Sequence, residues 1–273
     1  MNEKLNEFLQ TIKSEPKLEK YVNKLFGMIC GGIYGYAYYK SHKTCNKLLF
    51  ITRNPMIPTI KAITKKGGMD QYTTFLRIWA SMNKADSYST NIIEHSDFPS
   101  EEVINEQEIN YPHNGSLIRS VLGILINGKP ETCLTISNLT HNNTTVNDYI
   151  CCIGALIMKS FSQTDALNMT KIKYLLKYHN LLDIYDDSKS KLTSRNITKT
   201  LRLTLPRVEK ISTFVDLYKE LKNIKKPRRD NMTNCTFLGM MGGLQLGFTA
   251  FGAINSDKRV QELLYGIVQA LFL

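Results

Sequence analysis

Three things are missing from this 273-residue chain, and each absence removes a class of protein. No uninterrupted apolar run reaches the roughly 18 to 20 residues that a bilayer crossing requires. The nearest candidates, Phe237 to Ile254 and Ile150 to Met158, are interrupted by glycine or too short. No cationic and then apolar leader opens the chain, because Met1-Asn2-Glu3-Lys4-Leu5-Asn6-Glu7 alternates charged and polar groups, unlike a secretory signal. No CxxC pair occurs among Cys30, Cys45, Cys133, Cys151, Cys152 and Cys235, and several of these lie in apolar runs, where a reduced thiol packs as a small hydrophobe. The expectation is an intracellular, cytoplasmic protein without membrane association, its cysteines serving as core filler.

Without an export signal, the Asn-X-Ser/Thr triplets at Asn114, Asn138, Asn142, Asn143, Asn168, Asn196, Asn231 and Asn234 reflect an Asn-rich and Lys-rich composition rather than glycosylation. That bias, with abundant isoleucine, hints at an AT-rich genome such as that of a large DNA virus or a parasite, and leaves a virion component as the alternative location. No fixed-period repeat or low-complexity tract is visible, so one domain over residues 1–273 is the simpler reading. With 42% apolar residues the chain can fill a substantial core.

Convincing strands are also absent, and the dominant period is helical. Leu5, Phe8, Leu9 and Ile12 recur at steps of three and four, predicting a short amphipathic helix that ends near Glu15-Pro16. Leu18, Val22, Leu25, Phe26 and Ile29 begin a second helix, which runs into Gly27, Gly31, Gly32 and Gly35. Each glycine costs a helix about 1 kcal/mol relative to alanine, so four in nine residues need a packing reason. Gly27, Gly31 and Gly35 share one face, which should be buried against a close neighbour. The run Phe237 to Gly247 repeats this character and predicts that the two glycine-rich helices pair at the centre of the domain.

Further helices are expected over Met56 to Lys66, with Asn54 as cap, Pro55 in the first turn and Gly67-Gly68 as stop. Others are expected at Phe75 to Met82, Leu117 to Ile126, Pro130 to Leu139, Thr144 to Ser162 and Leu167 to His179, with loops and short helices in the acid-rich stretch from Asn83 to Asn114. Thr200 to Leu205 alternates leucine with polar residues in the manner of a strand, but a chain this helical offers it no partner.

The formal charge of +11 is unevenly placed. Lys189 to Arg229 carries thirteen Lys/Arg against three acidic residues, which leaves the remainder nearly neutral. Its densest part is Lys225-Lys226-Pro227-Arg228-Arg229. Such a segment attracts polyanions, nucleic acid included, yet without a groove-reading motif it is first of all a solvated helix face plus a loop.

These segments, in this order, resemble the ADP-ribosylglycohydrolase family, whose members remove ADP-ribose using two magnesium ions. The family's opening helix, of the type GCLLGGAIGDALG, is similar to Gly27-Met28-Ile29-Cys30-Gly31-Gly32-Ile33-Tyr34-Gly35-Tyr36-Ala37-Tyr38. Its TDDT, apolar helix and GG-hydrophobe-D ending resemble Thr52-Arg53-Asn54-Pro55, Met56 to Lys66 and Gly67-Gly68-Met69-Asp70. Its GNGSAMR resembles Asn114-Gly115-Ser116-Leu117-Ile118-Arg119, and its SALTH resembles Ser137-Asn138-Leu139-Thr140-His141. Its DTDT with a glycine-alanine helix falls on Thr233-Asn234-Cys235-Thr236 and the run to Gly247. The likeness covers about residues 25 to 255 and lies in order and spacing rather than in any one motif. It implies an all-α fold, a compact orthogonal helical bundle.

The resemblance also implies where metal would sit, and the carboxylates are missing there. The family's metal-binding aspartates correspond to Arg53, Asn54, Thr233 and Cys235, with Tyr36 replacing the aspartate of the first helix. Thr52 and Thr236 remain as hydroxyls, but two hydroxyls cannot neutralise two dications, and a guanidinium would repel them. No acidic pair lies in Leu48 to Lys66 or between Asn231 and Asn255, with Asp230 the only acid nearby. Neither a catalytic residue nor a metal cofactor is therefore expected.

Asn114, Gly115 and Ser116, with Arg53, could still hold ADP-ribose, the first three through backbone N–H groups at the start of the Leu117 helix. An ordinary helix cap explains them equally well. His141 reads as a helix-end residue, and Tyr34, Tyr36, Tyr38 and Tyr39 read as core before they read as an adenine platform. Cys151-Cys152 shows no activating base.

Three functions follow from these readings. The first is a catalytically silent ADP-ribosylglycohydrolase-like pseudoenzyme, acting as a structural or interaction protein through a protein partner or self-assembly, or by binding ADP-ribose. The family has such members in the jellyfish lens crystallins. The second is a hydrolase with relocated metal ligands. The third is a polyanion-binding or nucleic-acid-binding protein that uses Lys225, Lys226, Arg228 and Arg229.

Overall fold

A computed structural model describes residues 2–40, 56–64, 114, 116–127, 130–138, 143–162, 196–224 and 232–273. Among the described residues every regular element is an α- or 3₁₀-helix, so the described part of the protein is all-α, and no described helix is long and apolar enough to cross a membrane. Helix α1 (Glu3–Thr11) opens on Asn2, whose side chain accepts from the N–H groups of Lys4 at 3.1 Å and Leu5 at 3.4 Å. A 3₁₀ turn (Ile12–Ser14) ends it ahead of Pro16, as the sequence predicts. Pro16 is the first residue of α2 (Pro16–Lys40), a position where its missing N–H costs nothing.

The rest of the chain is built around α2 and α10 (Met232–Leu246), the most extensively packed helix pair. A Cβ on Gly27 would meet the Gly243 carbonyl, one on Gly31 the Gly239 carbonyl, and one on Gly35 the Cys235 carbonyl. The descending order of partners makes the pair antiparallel. The fit is reciprocal, since a Cβ on Gly239 would lie 2.9 Å from the Gly31 carbonyl carbon and one on Gly243 2.8 Å from that of Gly27. Backbone therefore meets backbone over two helical turns, where Cα–H···O contacts and dispersion offset the glycines' helix cost. Gly247 stops α10 at φ 81° and ψ 173°, a conformation open only to glycine, with its N–H bonded to the Gly243 carbonyl at 2.8 Å. The following 3₁₀ turn (Phe248–Phe251) is pinned to α2 by the Phe248 N–H, which donates to Asn23 Oδ1 at 2.9 Å.

The remaining helices surround this pair. α3 (Met56–Thr64) enters beside Gly32, where a Cβ would meet Met56 Sδ and lie 2.6 Å from Met240 Cγ. Asn54, Pro55, Gly67 and Gly68, the predicted start and stop of this helix, lie outside the described residues, as do the helices expected at Phe75 to Met82 and Leu167 to His179. The helix expected over Leu117 to Ile126 is divided at Gly123 into α4 (Leu117–Leu122) and α5 (Ile124–Asn127). α6 (Pro130–Asn138) packs on α4, and α7 (Thr144–Ser162) packs on α6 and α2, with Lys24 Nζ donating to the Ser160 carbonyl.

The strand-like alternation at Thr200 to Leu205 is helical, inside α8 (Ile197–Val208). Asn196 caps this helix by accepting from the Lys199 N–H, and Ile197, Leu201, Leu205 and Val208 are buried at helical spacing. Two threonines that read as the polar face of a strand, Thr200 and Thr204, are also buried, and Thr204 Oγ1 returns its hydrogen bond to the Thr200 carbonyl at 2.8 Å. The period of four won over the period of two because α10 offers a helix face and the described chain offers no strand.

α9 (Phe214–Ile224) packs on α10 through Leu217, which fills the space left by Gly242. A four-residue helix α11 (Gly252–Asn255) leads into α12 (Lys258–Leu271), capped by Asp257 and packed on α3. α12 lies beyond the helices expected from the sequence, although Asp257 followed by Val260, Leu263, Leu264, Ile267 and Val268 is a capped 3.6-residue pattern. The buried apolar residues of these helices form one continuous cluster.

The entry to α9 makes one prediction. Thr213 and Asp216 form a capping box: the Thr213 N–H and hydroxyl donate to Asp216 Oδ2 at 3.0 and 2.7 Å, the Ser212 hydroxyl donates to the same oxygen at 3.0 Å, and the Asp216 N–H donates to Thr213 Oγ1. These bonds hold the Asp216 carboxyl down at about 2, against the usual 3.8. A depressed carboxyl contributes stability above its unfolded value and loses it as pH falls through its folded value. The urea midpoint should therefore decline between about pH 4 and pH 2, and Asp216→Asn should flatten that part of the profile while lowering the midpoint at pH 7.

Candidate functional site

Gly32 of α2 meets Met240 of α10 and Met56 at the start of α3. One helical turn beyond Gly32 stands Tyr36, and one turn before Met240 stands Thr236. Antiparallel pairing thus sets Tyr36 and Thr236 at one level, on the side where α3 begins. Thr233, three residues before Thr236, shares its face, while the Cys235 carbonyl faces Gly35. All are inside the protein, with relative exposure of 2% for Tyr36, 7% for Thr233 and 0% for Cys235 and Thr236. Thr52, Arg53 and Asn54 lie outside the described residues.

The side chains at Tyr36, Thr233, Thr236 and Cys235 are a phenol, two aliphatic hydroxyls and a thiol. Thr236 Oγ1 is fully buried and has no hydrogen-bond partner among the described residues, an arrangement that costs roughly 1 to 3 kcal/mol for a desolvated hydroxyl. A magnesium pair does not fit this set, because a hard dication needs anionic oxygen to replace its water and no carboxylate is present among these positions. Among the described residues no three His, Cys, Asp or Glu side chains come close enough to hold a metal ion.

Asn114 and Ser116 are 1% and 0% exposed. The Asn114 amide donates to Thr200 Oγ1 at 2.8 Å, tying the start of α4 to α8. The Ser116 hydroxyl accepts from Ser137 Oγ at 3.2 Å, and its carbonyl accepts from the Ser120 hydroxyl at 2.8 Å. Ser116 makes no side-chain bond to the first turn of α4. Two of the segments that carry the family likeness therefore touch, through Ser116 and Ser137. Thr200 is the partner that sequence reasoning missed, for it lies 86 positions from Asn114 and no local signal joins them. Gly115 and His141 lie outside the described residues.

Tyr34 is core, its ring 4.8 Å from Phe214 and 6.3 Å from Phe251. Tyr38 and Tyr39 are only half-buried, and Tyr38 stands edge-on to Tyr218 at 5.5 Å. Cys30, Cys133, Cys152 and Cys235 are buried. Burial raises the Cys30 thiol and pushes those of Cys133 and Cys152 up to about 12, so all three stay protonated and unreactive at neutral pH. Cys151, partly exposed, is also raised, first by desolvation and then by Asp148 and Glu131.

The described part of the basic segment is α8 and α9, two amphipathic helices joined by an Arg207 to Glu220 ion pair at 3.3 Å. Lys225, Lys226, Arg228 and Arg229 lie outside the described residues. The class defined by the fold is thus an all-α protein centred on an antiparallel pair of glycine-faced helices. No protein-family model matches the chain, and no curated protein matches it significantly.

Proposed function

We propose that this protein is an ADP-ribosylglycohydrolase-like bundle that has lost the family's chemistry, and that it works as a scaffold for protein contact and for ADP-ribose. The observation that carries this reading is the level occupied by Tyr36 and Thr236 beside the start of α3, where buried hydroxyl groups stand at positions that the resemblance assigns to metal ligands. The helix that resembles the family's opening helix and the helix that begins with the DTDT-like segment come from opposite ends of the sequence, yet they pack side by side. Buried hydroxyls without a carboxylate favour a phosphate or ribose over a cation, and the resemblance would add the guanidinium of Arg53 to them.

Calorimetric titration with ADP-ribose tests the binding half. Heat in the micromolar range that is abolished by Arg53→Ala supports it, whereas no heat at millimolar ligand removes it. A turnover assay on ADP-ribosylated arginine and serine peptides tests the silent half. Release that depends on magnesium and stops with chelator would overturn it.

Thr236 separates a ligand role from a packing role. Thr236→Val removes a buried hydroxyl that has no partner among the described residues and should stabilise the fold by about 1 kcal/mol in urea unfolding. If that hydroxyl serves ADP-ribose, the same variant should bind it more weakly while melting higher.

A further inference from the structure

Among the described residues, three large hydrophobic side chains are exposed: Leu273 at the chain end, and Val215 and Tyr218 together on α9. Val215 and Tyr218 are 57% and 44% exposed and stand three residues apart, so they share one helix face. Lys219 and Lys222 complete that face at the following positions and are likewise exposed. The Tyr218 ring does not hang free, because Tyr38 of α2 holds it edge-on at 5.5 Å and 88°. Behind them, Phe214 packs on Tyr34 and Phe251, so the face is anchored in the core.

An apolar centre held rigid from beneath, with cations at its rim, has the composition of a docking surface rather than of a solvated helix side. We propose that the Val215–Tyr218 face of α9 docks an acidic amphipathic helix of a partner protein, its apolar residues covering Val215 and Tyr218 and its carboxylates meeting Lys219 and Lys222. Protein is favoured over nucleic acid because the face is centred on Val215, an aliphatic side chain that packs against an apolar helix face and offers nothing to a base or phosphate. The exposed Asp216–Lys219 pair, at 3.6 Å, is weak enough for Lys219 to meet a partner's carboxylate. The proposal deepens the scaffold reading by naming the partner's chemistry, but it stands on α9 alone: turnover of an ADP-ribosylated peptide would end the pseudoenzyme reading and leave this surface untouched.

The test uses the full chain and three fluorescent probes: a helical peptide of roughly 18 residues with leucine at i, i+3, i+4 and i+7 and glutamate elsewhere, the same peptide with lysine for glutamate, and an oligo-dT. Anisotropy should show saturable binding of the acidic peptide, weakened about tenfold or more by Tyr218→Ala. Lys219→Glu with Lys222→Glu should transfer preference to the basic peptide. All these positions are exposed, and an unchanged thermal melt confirms that each variant is folded. Equal binding of both peptides, no binding of either, or oligo-dT binding that depends on Tyr218 and both lysines would each overturn the proposal.

Discussion

Leucine in place of Gly31 or Gly243 should leave the chain unable to reach its native state, and alanine at either position should lower stability by about 3 kcal/mol in urea unfolding. The cause is what the new side chain would meet. A Cβ on Gly31 would come within 2.8 Å of Gly243 Cα, and one on Gly243 within 2.8 Å of the Gly27 carbonyl carbon. Both obstacles are helical backbone, which cannot rotate away as a side-chain tip can. The two helices would have to separate along their length, and with them the helices packed on each. Gly266 in α12 is the control. It also lies inside a helix, but among the described residues its Cβ would find only Thr64 Oγ1 at 3.8 Å, an ordinary contact, so Gly266→Ala should stabilise by about 1 kcal/mol. Opposite signs for the same substitution would separate the packing role of the α2 and α10 glycines from glycine's general cost to a helix. If Gly31→Ala were neutral, the backbone contact would not be what holds this pair.

Phe26→Ala should cost about 3 to 5 kcal/mol, with the urea midpoint falling and the slope unchanged. Phe26 is fully buried on α2, one residue before the glycine face, and its ring meets Phe248 at 5.5 Å and 74°. Phe248 is held by its own N–H to Asn23 on the same helix, so the surroundings have little freedom to collapse into the space. Phe26→Leu keeps most of the volume and should cost under about 1.5 kcal/mol. Because a domain of this kind is stable by only about 5 to 15 kcal/mol, the alanine variant alone would remove a large share of it.

The glycine pairing was legible in advance because a row of helix-destabilising residues on one face has few explanations other than close approach. Thr144 to Ser162 was legible to the residue, its apolar period running without interruption. Thr200 to Leu205 alternates like a strand for which the helical chain offers no partner, and it is helical, since alternating leucine and threonine satisfies a helix whenever threonine can be buried with its hydroxyl bonded to the preceding turn. Of the candidate site, the sequence could supply residue types and order but not neighbours. Ser116 with Ser137 and Asn114 with Thr200 are contacts across 21 and 86 positions, and nothing local encodes them.

The amino-acid order by itself determined the helical character of the described chain and a core drawn from both ends, because period and glycine placement are properties of the string. Only the tertiary structure decided the register in which Gly27, Gly31 and Gly35 meet Gly243, Gly239 and Cys235. It alone brought Tyr36 and Thr236 to one level and left Val215 and Tyr218 uncovered. Which face a helix buries depends on the neighbour it finds, and that choice is made by the summed packing of all the helices together.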